Sequence, residues 1–263
     1  MKKGLIVLLG EAFREYNPFA LNLNRLSRVR DTEYGIEKQR ESSMSHVKLE
    51  RHLASLNYTI DFALHTYTTA NEEMLRGFYP NVVYAKFTEP NPTIASMTES
   101  IFHTAVQSVL SSIDIQEYSF MFVCRFDLML KDELIQRFNP EWNTITYANV
   151  MSIANDDVNQ TCISDVLVFI PCRFFLPFHS WKGLYYNTIH ILCHHCVQAL
   201  IRCGLRLRDD IAFMTDACYI ANTIQMKNPL YAINCRPDGP EFIHGWSDIR
   251  YDKDRHICRV LTL

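Results

Sequence analysis

The chain has 263 residues, 48% of them hydrophobic, and a formal net charge of −3; these values exclude a disordered chain and supply no global electrostatic reason for a nucleic-acid or anionic-membrane partner. No apolar run reaches the ~18–20 residues of a membrane-spanning helix, because the greasiest stretch, Val166 to Phe178, is broken by Pro171, Arg173 and Pro177. Nine cysteines scattered as singles fit reduced thiols in the cytoplasm better than a disulfide framework, so one soluble cytoplasmic domain is expected and the sequons at Asn57 and Asn159 carry no weight.

Met1-Lys2-Lys3 mimics the start of a signal peptide, but the apolar run behind it stops at Leu9, and Glu11 and Arg14 follow at once. The run is too short for a leader and reads instead as a first strand buried on both faces of a parallel sheet. Residues 16 to 35 show no period and carry Arg25, Arg28 and Arg30, the pattern of a long loop. Ile36 to Leu56 reads as a helix with Leu49, Leu53 and Leu56 at core spacing. Thr59 to Leu64 is a second strand ending in His65-Thr66-Tyr67-Thr68-Thr69, followed by a short helix from Asn71 and a third strand around Val82 to Ala85.

Pro90 to Pro92 breaks the chain, after which Ile94, Met97, Ile101, Ala105, Val109 and Ile113 recur at helical intervals. That helix delivers the chain to an apolar strand, Ser119 to Val123, closed by Cys124-Arg125-Phe126-Asp127. The alternation predicts a doubly wound, mostly parallel α/β sheet flanked by helices. Beyond it the regularity fades. Thr144 to Tyr147 and Asp165 to Ile170 look like strands, Tyr185 to Cys203 like a helix, and Asn155 to Thr161 like a polar loop.

Ligands of open α/β sheets bind outside the carboxyl ends of the strands. Arg125 and Asp127 stand at such an end, where a guanidinium grips phosphate and a carboxylate holds a metal or a sugar hydroxyl. The competing reading is an ion pair that merely caps the turn. A carboxylate placed for ligand binding contributes to the site and little to the core, so Asp127→Asn is expected to leave stability nearly untouched. The first turn, Gly10-Glu11-Ala12-Phe13-Arg14, supplies only one of the three glycines of a dinucleotide fingerprint, which argues against NAD, flavin and a methyltransferase-like site. Neither a Gly-Lys-Ser/Thr phosphate loop nor a Gly-x-Ser-x-Gly elbow is present. Arg14 offers a second phosphate contact, or else is a solvated arginine. His190, Cys193, His194 and Cys196 suggest zinc by spacing, yet Ile189, Leu192, Cys196, Ala199 and Cys203 form one helical stripe, so a packed helix is the simpler reading.

Taken together, Gly4-Leu5-Ile6-Val7-Leu8-Leu9-Gly10, Phe13-Arg14, Ser42 to His46, Asp61 to Tyr67, Arg125-Phe126-Asp127 and Ser164 to Pro171 resemble the GT-A glycosyltransferases of large algal (chlorella) viruses, capsid-glycan xylosyltransferases among them. The resemblance spans about Gly4 to Pro171. It implies a single GT-A-like domain, with residues 1–130 as the nucleotide-sugar-binding half and 131–263 as the acceptor-side half. It further implies a UDP-sugar donor, xylose in particular, a glycan acceptor and a divalent cation, Mn or Mg. Gly10, Arg14, His65, Thr66, Tyr67, Arg125 and Asp127 then border the donor, with Asp127 as the metal ligand. The two-carboxylate motif of the family stands here as Arg-Phe-Asp, which leaves Asp127 alone in that role and lets Arg125 supply part of the positive charge.

Transfer needs a base on the acceptor hydroxyl and positive charge at the departing diphosphate. For an inverting displacement Asp165, at the start of a strand beside the Asn155–Thr161 loop, is the first candidate, followed by Asp209, Asp210 and Asp156. Each has a competing role as a cap or a solvated charge. A non-catalytic nucleotide-sugar or glycan-binding module is the alternative function.

Overall fold

The computed structural model describes residues 1–15, 29–89, 108–148, 150–152, 161–163, 167–175, 204–206, 209–214, 219–220 and 231–233. In chain order these form β1 (Lys2–Leu9), β2 (Arg14–Glu15), β3 (Val29–Arg30), α1 (Glu33–Ser55), β4 (Tyr58–Tyr67), α2 (Glu72–Gly77) and β5 (Val82–Thr88). A helical stretch at 108–112 (α3) leads to β6 (Tyr118–Arg125), β7 (Leu128–Leu130), α4 (Asp132–Arg137), β8 (Ile145–Tyr147) and β9 (Val150–Ser152). The remaining strands are β10 (Thr161–Ile163), β11 (Leu167–Pro171), β12 (Ile211–Phe213), β13 (Tyr219–Ile220) and β14 (Tyr231–Ile233). None of the described helices is long and apolar enough to cross a membrane.

Seven strands make the central sheet in the order β12-β8-β11-β6-β1-β4-β5. Neighbours β6, β1, β4 and β5 are parallel, β11 is antiparallel to both β6 and β8, and β12 follows β8 in parallel. Only β11 therefore runs against the other six, which is the mostly parallel α/β sheet that the alternation of apolar runs predicts. Strands from both halves of the chain share this one sheet.

The apolar runs become central strands because both their faces are covered. On one face Ile6, Leu8, Phe62, Leu64, Phe120 and Phe122 pack beneath α1 and α4; on the other Leu5, Val7, Leu9, Ala63, Met121 and Val123 pack with Val109 and Leu110 of α3. Helix α1 starts at Glu33, earlier than the apolar period suggests, because Thr32 caps it by accepting the Gly35 N–H at 3.0 Å. Leu49 and Leu53 are buried as expected, whereas Leu56 lies past the helix end and is 44% exposed. The toward-sheet face of the helix's first half is polar: Gln39, Ser42, Ser43, Ser45 and His46 are all buried. Of the helix predicted over 94–113, only 108–112 falls among the described residues; the one predicted over 185–203, with the zinc-like His190 to Cys196, lies outside them.

Gly4 is where β1 passes closest to the aromatic cluster. A Cβ there would stand 2.3 Å from Phe120 Cζ and 2.9 Å from Ile60 Cδ1. The Phe120 ring cannot yield, since it is fully buried and stacks on Phe169 at 5.2 Å and against Phe138 at 5.9 Å. Gly4→Ala is expected to destabilise the fold by about 1–3 kcal/mol through overpacking, read as a lower urea midpoint at unchanged slope. An unchanged midpoint would mean that the cluster repacks without cost.

Candidate functional site

The register of the three central strands aligns their carboxyl ends. Leu9, the last residue of β1, has His65 of β4 as partner on one side and Arg125 of β6 on the other. The chain leaves β1 through Gly10, whose φ of +101° is glycine territory. It then lays Glu11, Ala12 and Phe13 as a buried loop across the strand ends.

This loop is bolted down through the backbone of Ala12 and Phe13. Ala12 N–H donates to Thr66 Oγ1 at 3.0 Å, Phe13 N–H to Gln39 Oε1 at 3.2 Å, and the Phe13 carbonyl accepts from Asp31 N–H at 3.1 Å. Gly35 of α1 passes so close that a Cβ there would meet the Phe13 oxygen at 2.5 Å. Across the site Phe126 N–H donates to the Leu9 carbonyl at 3.0 Å, and its own carbonyl accepts from Gln39 Nε2 at 3.2 Å. Thr66 is thus a tether for the first turn, a role that its place in the strand does not announce. Asp31, in turn, accepts from Thr69 Oγ1 and from Asn71 Nδ2, the latter at 3.1 Å. The backbone of Arg14 continues into the short β2–β3 ladder opposite Arg30.

Arg125 and Asp127 meet directly. Arg125 Nε donates to Asp127 Oδ1 at 2.8 Å, and a second contact joins Nη2 to Oδ2. The side chains are 18% and 4% exposed, so the guanidinium keeps a window on solvent while the carboxylate has almost none. Removing one partner of such a pair strands the other charge. The expectation that Asp127→Asn leaves stability untouched is therefore corrected: this carboxylate belongs to the packed structure as well as to the strand end.

The remaining predicted residues divide. His65 is buried, its Nε2 2.9 Å from Thr88 Oγ1 and its Nδ1 without a hydrogen-bond partner among the described residues. Burial, helped by the charge of Lys86, pushes its pKa down to about 4, so it is a neutral imidazole at pH 7. Tyr67 is buried in the core on the α3 side.

Asp209 and Asp210 stand on the wrong edge. They precede β12, which runs in the same direction as β6, and the start of a parallel strand lies opposite the carboxyl ends. Asp210 is held there by Arg173 at 3.3 Å and by the Arg206 N–H at 2.9 Å, and Asp209 by Arg206 at 3.1 Å. Both therefore stand at the sheet edge opposite the one that carries Arg125 and Asp127. Asp165 and Asp156 lie outside the described residues. Leu167, which opens β11, is the partner of Cys124, so the antiparallel strand enters the sheet at the carboxyl edge.

Beneath the site sits a buried polar network that apolar periodicity passes over. Ser43 Oγ lies 2.8 Å from Tyr79 OH, His46 Nδ1 3.3 Å from the same hydroxyl, and His46 Nε2 3.8 Å from Cys124 Sγ. Ser45 Oγ accepts the Leu130 N–H at 2.9 Å. Burial holds His46 down to about 4, although the Leu128 backbone and the charge of Asp127 pull upward, and burial pushes the Cys124 thiol up. The network is neutral. Its sequence signal is Gln39, Ser43 and His46, spaced by four and three on the stripe that continues into Leu49 and Leu53.

For a divalent cation the described residues supply no gathered donor set. No three His, Cys, Asp or Glu side chains gather among the described residues, and both oxygens of Asp127 are taken by Arg125.

The sequence matches no protein-family model and no curated protein. Among solved structures it is similar to a glycosyltransferase involved in the glycosylation of the major capsid of PBCV-1, with 9% identity over 90% of this chain and 95% of that one and a TM-score of 0.44. It is also similar to 4-diphosphocytidyl-2C-methyl-D-erythritol synthase from Anaerococcus prevotii DSM 20548, with 6% identity over 81% and 86% and a TM-score of 0.43. A galactosyltransferase in complex with donor and acceptor sugar analogs is a further likeness, with 8% identity over 80% and 72% and a TM-score of 0.39. At such values the functional reading rests on the strand ends themselves.

The neutral histidines have a measurable consequence. The folded pKa of His46 is about 4 against 6.5 for a solvated imidazole, so between these values the unfolded chain binds a proton that the fold refuses. Its contribution to stability is whole above pH 6.5 and is lost as pH falls toward 4. Urea midpoints of the wild type and His46→Gln should differ at pH 7.5, and the gap should narrow by about 2 kcal/mol at pH 5. A gap independent of pH would contradict a buried neutral imidazole.

Proposed function

We propose that the chain is a glycosyltransferase that moves a sugar from a nucleotide-diphosphate donor to a hydroxyl of a glycan, with the donor lying across the carboxyl ends of β4, β1 and β6. The observation that carries this reading is the meeting of Arg125 and Asp127 beside the bolted turn after β1. In an open parallel sheet that edge is where ligands bind, and a guanidinium with a window on solvent suits a diphosphate. The sequence resemblance supports UDP as the nucleotide, xylose as the sugar and a viral capsid glycan as the acceptor.

In this reading Arg125 offsets the charge that develops on the departing diphosphate, and the turn from Gly10 to Arg14 borders the nucleotide. Asp165, just ahead of the antiparallel β11, is the proposed base on the acceptor hydroxyl if the reaction inverts. A Mn or Mg ion, which the resemblance also implies, would share the Asp127 carboxylate with Arg125, and no step is assigned to it. The ion pair also favours a second reading, a module that binds a nucleotide-sugar without transferring it, because it engages the carboxylate of Asp127 with Arg125.

UDP should raise the melting temperature of the wild type, by the equivalent of about 2.7 kcal/mol at a hundredfold excess over its dissociation constant, and UDP-xylose with a glycan acceptor should release UDP. Binding without release in every donor and acceptor tested selects the second reading; a shift with neither UDP nor CDP overturns both. Arg125→Ala should abolish the UDP response, and Asp127→Asn, which leaves the guanidinium without its carboxylate, should lower stability by about 1–3 kcal/mol.

Asp165→Ala should abolish transfer while UDP affinity stays intact, because the base touches the hydroxyl and not the nucleotide. Normal transfer by a folded Asp165→Ala protein would remove Asp165 from the reaction.

A further inference from the structure

We infer that Gln39, a residue of α1 that touches neither strand end, is a positioning residue of the nucleotide site: its side-chain amide clasps the loop after β1 to the loop after β6. The inference rests on the proposed nucleotide site. Gln39 is fully buried, and a buried amide is tolerated where its polar atoms are satisfied. Here they are. Oε1 accepts the Phe13 N–H at 3.2 Å, while Nε2 donates to the Phe126 carbonyl at 3.2 Å and to Ser43 Oγ at 3.4 Å. Only one amide orientation makes both loop bonds, since the reverse would set N–H against N–H and oxygen against oxygen.

The two backbone groups it joins cannot be served by the sheet. Phe13 has a φ of +53°, which turns its N–H out of any strand ladder. Phe126 has already spent its own N–H on the Leu9 carbonyl, so its oxygen lies past the last rung between β6 and β1. Both residues are completely buried, out of reach of water. One bond further along the chain in each loop stand the groups assigned to the ligand: Arg14 follows Phe13, and Arg125 and Asp127 flank Phe126. The length of one glutamine side chain therefore sets the spacing of the two loops, and preorganised spacing of that kind governs affinity for a ligand that bridges them. Asparagine would be too short to span the gap, and leucine, no longer than asparagine, offers neither bond.

Two variants of the full chain test this. Gln39→Leu removes both bonds. Gln39→Glu keeps the acceptor and regains the donor only when its carboxyl is protonated; burial raises a carboxyl pKa, so the donor is present at low pH and lost as pH rises through the raised value. In ligand-free protein the Phe13 amide of Gln39→Leu should exchange with deuterium about tenfold faster or more while the β1 amides keep their wild-type rates. UDP affinity, measured calorimetrically as a ratio to wild type at each pH, should fall about tenfold in Gln39→Leu at every pH. In Gln39→Glu it should fall as far at pH 8 and recover toward wild type at pH 5.5. A packing role alone lowers the melting temperature of both variants but gives no pH-dependent recovery. Unchanged Phe13 exchange in Gln39→Leu, or fast exchange with wild-type UDP affinity, would overturn the inference. If Gln39→Leu does not fold, the Gln39→Glu pH series decides alone, a flat ratio counting against the clasp. Wild-type protein that binds neither UDP nor CDP overturns the proposed function and with it this role, and Phe13 exchange then still shows whether the clasp exists.

Discussion

Strand β1 has no free edge and no free face. It is hydrogen-bonded to β4 on one side and β6 on the other, both in parallel, and Leu5 through Leu9 are at most 2% exposed. Two aligned neighbours and two packed faces leave a strand no register to slip into, because a slip by one residue would turn every side chain onto the other face. The consequence for the site is spatial. His65, Leu9 and Arg125 are held in one row, so the chain leaves β1, β4 and β6 at the same edge of the sheet. What those loops do afterwards is decided by hydrogen bonds to residues of other elements, Thr66, Gln39 and Asp31, rather than by their own sequence.

Electrostatics then concentrates charge at that edge and keeps it out of the layer below. The first half of α1 sets a polar network against the sheet, yet burial keeps its His46 as imidazole and Cys124 as thiol, so neither carries a formal charge at neutral pH. The formal charges of Arg125 and Asp127, at the strand end, pair with each other. A buried carboxylate facing the sheet without a partner would be strongly unfavourable; paired in a bidentate geometry, it is tolerated and it orients the guanidinium. In the proposed function a diphosphate competes with Asp127 for that guanidinium. The structural ion pair and the phosphate clamp weighed from the sequence are then two states of the same two side chains.

How much of this was legible in the sequence varies with the kind of signal. The strands from Leu5, Ile60 and Phe120 declared themselves because burial on both faces leaves an unbroken apolar run, and parallel pairing with intervening helices followed from their alternation. Helix α1 showed only its apolar half. Gln39, Ser43 and His46 continue the stripe of Leu49 and Leu53 toward the site, but a search for apolar period discards polar residues even where they are buried. Which edge of the sheet an acid ahead of an apolar strand stands on is a topological matter. Asp165 and the Asp209–Asp210 pair share the same local pattern, an acid just before an apolar strand, and only the strand direction tells the two cases apart. β11 runs antiparallel and begins at the carboxyl edge, whereas β12 runs parallel and begins at the opposite one. Strand direction is a property of pairing partners distant in the chain, which no local pattern encodes.

The central claim is that a nucleotide diphosphate lies over the carboxyl ends of β4, β1 and β6, and the most direct measurement is a backbone amide NMR titration with UDP. The account predicts saturable shifts confined to Gly10 through Phe13, Thr66 to Thr69 and Arg125 to Asp127, with the amides of Lys3, Thr59 and Tyr118 at the opposite edge unmoved. Shifts clustered at that opposite edge, around Lys3, Tyr118 and Asp210, would contradict it.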